Sequence, residues 1–214
     1  MLVNACENNI ESESNGQLMR CIPLAIFGIN KTTAIIMTMA SLESELTHPN
    51  KIVGEITGLY CVIISTILRS KIHENNINIE QLFILIKCLI TNKQILQWYE
   101  IGYKLTTLEN YDSITNEGHV KHAFIFVIYF LHNINNYNYV NAITEIIKCG
   151  GDTDTNAKIV GNLFGAYYGD CVPNYLSKIV LNFDCTKVDN KFFNRPYSCS
   201  VKHALELLEC LPKL

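Results

Sequence analysis

The sequence predicts an all-α protein. Apolar residues recur at steps of three and four, few segments alternate with a period of two, and the composition supplies a core. Of 214 residues, 49% are apolar and 17% charged, enough for one well-buried domain or two small ones and too apolar for disorder.

After His48-Pro49-Asn50, the residues Ile52, Ile56, Leu59, Tyr60, Ile63 and Ile67 mark one face of a long helix. Asn78 is placed to cap the next, with Gln81 three residues on and Leu82, Leu85, Ile86 and Leu89 as its buried face. Helical spacing continues over 95–103. Residues 119–132 form another helix around the longest apolar run, Ala123 to Leu131; nine residues are half of a membrane span, so this is a core helix. Residues 139–148 form a helix stopped by Gly150-Gly151, and 155–168 form the next. Pro173 opens a third, and an amphipathic helix closes the chain over 200–211. Residues 106–117 and 185–198 read as loops. Residues 1–14 read as a polar, frayed tail and 15–214 as a single domain.

A net charge of −3 and a pI of about 6.1 leave no basic excess to neutralise a phosphate backbone, so no nucleic-acid partner is expected. The nine cysteines are odd in number and none forms a C-x-x-C pair, so they read as free thiols in a reducing compartment. The N-terminal MLVNACENNIESESNG lacks the basic and apolar regions of a signal peptide. A cytoplasmic protein without a membrane partner is the expectation.

The stretch that carries chemistry is Gly150-Gly151-Asp152-Thr153-Asp154-Thr155-Asn156-Ala157. Two glycines let the backbone turn sharply, and two carboxylates one residue apart open the next helix. Their repulsion calls for positive charge. The helix N-terminus supplies some, worth about 0.3–1 kcal/mol per exposed carboxylate. A hard divalent cation is the other candidate, with Asp152, Asp154 and Thr155 offering two anionic ligands and one neutral oxygen. An ordinary N-cap is the plainer reading. Ala157, Gly161, Gly165 and Gly169 follow at steps of four, which predicts close approach by a neighbouring backbone and a rigidly held helix start.

The twenty residues GGDTDTNAKIVGNLFGAYYG resemble the C-terminal signature of the ADP-ribosylglycohydrolase family. Asn15-Gly16-Gln17-Leu18-Met19-Arg20 with Pro23-Leu24 resembles the family's N-G-x-x-M-R-x-x-P-L segment, and Thr47-His48-Pro49 its T-H-P segment. Gly118-His119-Val120-Lys121-His122-Ala123-Phe124 stands where the family has G-Y-V-x-x-T-L, with His119 for the Tyr and Ala123 for the Thr. The resemblance runs from Asn15 to about Phe183.

The resemblance implies an orthogonal multi-helix all-α fold and a site with two magnesium ions. That site hydrolyses the bond joining ADP-ribose to a protein side chain or leaving group, so the implied partner is ADP-ribose or an ADP-ribosylated protein. It assigns Asp152, Asp154 and Thr155 as metal ligands, and Asn15, Gly16 and His48 as substrate contacts. Gln17 replaces a smaller family residue and is expected to crowd the pocket. Metals in such a site orient the ribose hydroxyls and a water and stabilise an oxocarbenium-like transition state.

The family's T-D-D-T motif, which supplies the other metal ligands, and its G-D-A-x-G segment have no counterpart here. The fold is therefore expected to lack the N-terminal helices and to match the C-terminal two-thirds of the family fold. A decayed or truncated gene, half of a split enzyme completed by a separate chain, and a domain kept for binding only are the open alternatives. Three protein ligands do not suffice for two Mg²⁺ ions, each wanting about six oxygens. Glu7, Glu11, Glu13, Asp112 and Glu117 are weak substitutes, and no residue is assigned the catalytic role. His119 and His122 are read as ordinary histidines rather than ligands. Trp98, Tyr99, Tyr167 and Tyr168 are read as packing residues, Cys149 as an unactivated thiol and Arg195 as a structural anchor.

Overall fold

The computed structural model describes residues 7–186 and 195–201, with His203 and Glu206. The chain divides into two compact units, residues 1–171 and 172–214. The first unit holds α1 (Gly16–Arg20), α2 (Ile22–Phe27), α3 (Thr33–Glu45), α4 (Lys51–Ile72), α5 (Ile79–Leu89), α6 (Lys93–Lys104), α7 (Val120–His132), α8 (Tyr139–Cys149) and α9 (Thr153–Tyr168). Among the described residues there is no strand, only an isolated antiparallel bridge between Ser14 and His119. The fold is all-α, as the apolar spacing predicts.

Two helices make the centre. α4 is buried from Val53 through Ser65 except at Glu55, and again at Ile67; α7 is buried from His122 through Leu131. Each large apolar side chain taken out of water contributes about 1.5–3 kcal/mol. α4 is long and apolar enough to cross a membrane, but 72% of its most apolar stretch lies inside the protein, where α3, α2, α9 and α7 cover it. α6 packs on α7, and α9 packs on α8, α7 and α4.

Asparagine starts four of these helices. The side chains of Asn50, Asn78, Asn92 and Asn138 each accept a backbone N–H of the first turn, at 2.8–3.0 Å. Each satisfies one of the four donors a helix start leaves open, worth about 1 kcal/mol against Ala. The Asn78–Gln81 start is where the spacing places it, whereas the spacing does not single out the caps at Asn92 and Asn138.

Three findings depart from the sequence expectation. Periodicity marks no helix over 16–45, yet α1, α2 and α3 lie there. α3 buries Ile36, Ala40 and Ser44 while Ile35 and Leu42 are exposed, so apolar residues surround it and blur the stripe. The glycine series on α9 is not a close-packing seam. A Cβ at Gly161 would make ordinary contact with Tyr139 at 3.4 Å, one at Gly165 would meet nothing within 4 Å, and Gly169 is the helix C-cap with φ +74°. Close approaches occur instead at Gly102, where a Cβ would stand 2.8 Å from the Ile125 carbonyl oxygen of α7, and at Gly58, where one would stand 3.3 Å from Met37 Cα of α3. Residues 9–14 are also bonded rather than frayed. Asn9 donates to the Thr47 carbonyl, Asn50 donates to that of Ile10, and Val120 N–H donates to that of Glu13.

In the second unit, α10 (Asn174–Asn182) follows Pro173, and a 3-10 turn spans Tyr197–Cys199. The Arg195 backbone N–H donates to the Cys185 carbonyl at 2.9 Å. The 185–198 loop lies partly outside the described residues. So does most of the closing helix over 200–211, of which Val201, His203 and Glu206 are helical.

Candidate functional site

The site grows from the turn between α8 and α9. Gly150 ends α8 with φ +74°, and Gly151 follows with φ +72°. A Cβ on Gly151 would lie 2.2 Å from the Ser113 carbonyl oxygen, so only glycine lets the 106–117 loop pass here. Ser113, fully buried, fastens that loop by donating its hydroxyl to the carbonyls of Cys149 (2.9 Å) and Gly150 (3.2 Å).

Asp152 occupies the N-cap of α9 without capping it through its side chain. Its Oδ2 instead accepts a hydrogen bond from Asn15 Nδ2 at 2.7 Å, across 137 residues of sequence. Asn15 is buried, and its backbone N–H donates to the Gly118 carbonyl at 2.9 Å. Gly118 faces the same carboxylate: a Cβ there would stand 4.0 Å from Asp152 Oδ2. Asp154 Oδ1 accepts the Thr155 N–H at 2.9 Å, and the side chains of Asp154 and Thr155 are within hydrogen-bonding reach of Asp152. Burial pushes the Asp152 carboxyl up, but the bonds from Asn15, Thr155 and Asp154 together hold it below its ordinary value.

Gly16 sits against His48. A Cβ on Gly16 would be 3.7 Å from both Cε1 and Nε2 of the imidazole, whose Nδ1 pairs with Thr47 Oγ1 at 2.7 Å. Burial and the Arg20 charge lower the His48 pKa, and the Glu43 charge raises it less. The chain path thus joins Asn15, Gly16 and His48 on one side to Asp152, Asp154 and Thr155 on the other. Gln17 does not stand in a pocket. It is fully buried and donates Nε2 to Glu43.

Two carboxylates in contact need a shared proton or a cation between them. The donor set, two carboxylates and a hydroxyl, suits one hard cation that keeps several waters, and falls short of two. Among the described residues, no group of three or more His, Cys, Asp and Glu is placed to hold a metal ion. Of the weak substitutes, Glu13 pairs with His119 Nε2 at 2.9 Å, and Asp112 accepts the N–H groups of Ile114 and Thr115. Glu117 is exposed, although its Cβ would lie 3.4 Å from one on Gly151.

His119 and His122 each have partners within the fold. His119 Nδ1 accepts the Lys121 N–H at 3.0 Å, capping α7. His122 is fully buried, with Nδ1 on the Tyr111 hydroxyl (2.7 Å) and Nε2 donating to the Thr115 carbonyl (2.9 Å). Trp98 and Tyr99 are in the core; Tyr167 and Tyr168, expected to pack there too, are half-buried and exposed respectively, and bond the 134–135 turn through their hydroxyls. Burial pushes the Cys149 thiol up, away from reactivity. Sequence reasoning missed Glu43, Ser113 and the direct role of Gly118, because none belongs to a local spacing pattern.

A family model described as ADP-ribosylglycohydrolase matches residues 3–196. A protein of Acanthamoeba polyphaga mimivirus named "Putative ADP-ribosyl glycohydrolase" is 28% identical, the match covering 84% of this chain and 57% of the relative. The chain thus spans little more than half the length of that relative.

Proposed function

Because the chain belongs to the ADP-ribosylglycohydrolase family, we propose that it cleaves the glycosidic bond between ADP-ribose and a protein side chain or leaving group. The observation that carries this reading is the Asn15–Asp152 hydrogen bond, which draws the Asn-Gly segment and the acidic helix start into one site. In this reading Asn15, Gly16 and His48 bind the ribose and phosphates. Asp152, Asp154 and Thr155 hold one Mg²⁺, which when bound orients ribose hydroxyls and offsets their charge. Asn15 keeps Asp152 ionised, Ser113 and Gly151 fix the turn beneath it, and Gly118 leaves space beside the carboxylate. A separate chain could complete the ligand set for a second ion. A reducing compartment such as the cytoplasm suits the cysteines, which are free among the described residues.

The absence of a third acidic, His or Cys ligand among the described residues favours a second reading, an ADP-ribose-binding module without hydrolysis. One experiment separates the two. The purified chain is incubated with an ADP-ribosylated protein, with and without Mg²⁺, and released ADP-ribose is quantified beside calorimetric ADP-ribose binding. Mg²⁺-dependent release, abolished in Asp152→Asn, supports the hydrolase. Binding without release supports the module, and neither binding nor release rejects both.

A further inference from the structure

We propose that Glu43 is a positioning residue of this site, its carboxylate holding the Asn15–Gly16 arm against the turn that carries His48. The inference rests on the reading of Asn15, Gly16 and His48 as the ligand-contacting arm.

α1, which begins at Gly16, is five residues long and has no side-chain cap. A helix that short does not persist without tertiary contacts. Its N-terminal side is tied to Gly118 and Asp152 through Asn15. Leu18 buries its middle in the core, and its polar anchor on the other side is Glu43. Gln17 and Arg20, one helical turn apart, both end on that carboxylate: Gln17 Nε2 donates to Oε2, and Arg20 Nε donates to Oε1 at 2.8 Å. Arg20 Nη2 also donates to the Glu43 carbonyl at 3.2 Å. A carboxylate only accepts, so Glu43 also fixes which way the buried Gln17 amide faces.

The next residue, Ser44, holds the other arm. Its hydroxyl donates to the His48 carbonyl at 3.0 Å, and the His48 N–H donates to the Ser44 carbonyl at 2.7 Å. Two consecutive residues at the end of α3 therefore grip both arms, and the imidazole comes to rest against Gly16. An exposed Arg–Glu pair alone is worth about 0.2–1 kcal/mol. The burial of Gln17 makes this contact more than that, because losing Glu43 strands an amide inside the protein.

The test uses the full chain with Glu43→Gln and Glu43→Asp. The His48 ring is titrated by NMR, the Gly16 and Gln17 amide resonances are followed, and ADP-ribose affinity is measured by calorimetry. In folded Glu43→Gln the His48 pKa falls, the Gly16 resonance moves and ADP-ribose affinity drops about tenfold. Glu43→Asp recovers part of each. If Glu43→Gln fails to fold, Glu43→Asp carries the same readouts against the wild type. An unchanged His48 titration and Gly16 resonance in a folded variant overturn the proposal. A wild-type chain that binds no ADP-ribose rejects the functional reading instead, and the NMR comparison still decides the role of Glu43.

Discussion

Gly151 and Gly165 sit fourteen residues apart in the same signature, yet they answer to different forces. Gly151 has φ +72°, and a methyl group there would strike the Ser113 carbonyl at 2.2 Å, which Ser113 cannot relieve while its hydroxyl holds Cys149 and Gly150. Gly151→Ala is expected to cost about 3 kcal/mol or more in denaturant unfolding. Gly165→Ala meets open space in a helix interior and should stabilise by about 0.5–1 kcal/mol. The Asn15–Asp152 contact is likewise a matter of two atoms. Asn15→Ala removes a bond that holds the carboxyl low, so the Asp152 pKa should rise, read by NMR titration of its carboxyl carbon. An unmoved titration would mean that Thr155 and Asp154 suffice. Asn15 and Asp152 were both singled out as candidates by their motifs, but their partnership was not legible, since no spacing encodes contact across 137 residues.

At the scale of elements, the 106–117 loop between α6 and α7 reaches the site by being pinned at three points. Ser113 fastens it to the glycine turn, Asp112 folds it on its own backbone, and His122 of α7 ties Tyr111 to the Thr115 carbonyl. The pinned loop delivers Gly118 beside Asp152. His122→Leu removes the partner of the half-buried Tyr111 hydroxyl, at about 1 kcal/mol, while the carbonyl of exposed Thr115 turns to water. Hydrogen exchange should speed up across the loop in this variant and stay unchanged in the middle of α4. Equal acceleration in both would show that His122 supports the core at large. The loop was visible in the sequence as a segment without period. Its order was not visible, because it comes from side chains on other elements. α3 was missed for the opposite reason, an excess of apolar residues around its circumference.

Across the whole molecule, three imidazoles respond to acid in the same sense. Burial lowers the pKa of His48, His119 and His122 below the ordinary 6.5. The unfolded chain therefore binds more protons than the folded one just below 6.5, and stability, fully present above that value, is lost as pH falls toward the folded pKa values. Thermal unfolding followed from about pH 7.5 to about pH 5.5 should show a falling Tm, and His122→Leu should flatten the slope. A flat wild-type profile would mean that acid costs the folded state nothing. The sequence alone determined the all-α class and the Asn78-capped helix start, and its motifs singled out candidate site residues, because periodicity, caps and glycine turns act over a few residues. Tertiary structure decided what meets what: Asn15 on Asp152, Gly16 on His48, Glu43 beneath both Gln17 and Arg20, and open space where the glycine series had implied contact. Those outcomes depend on how helices pack, and packing is set by shape and burial between segments far apart in the chain.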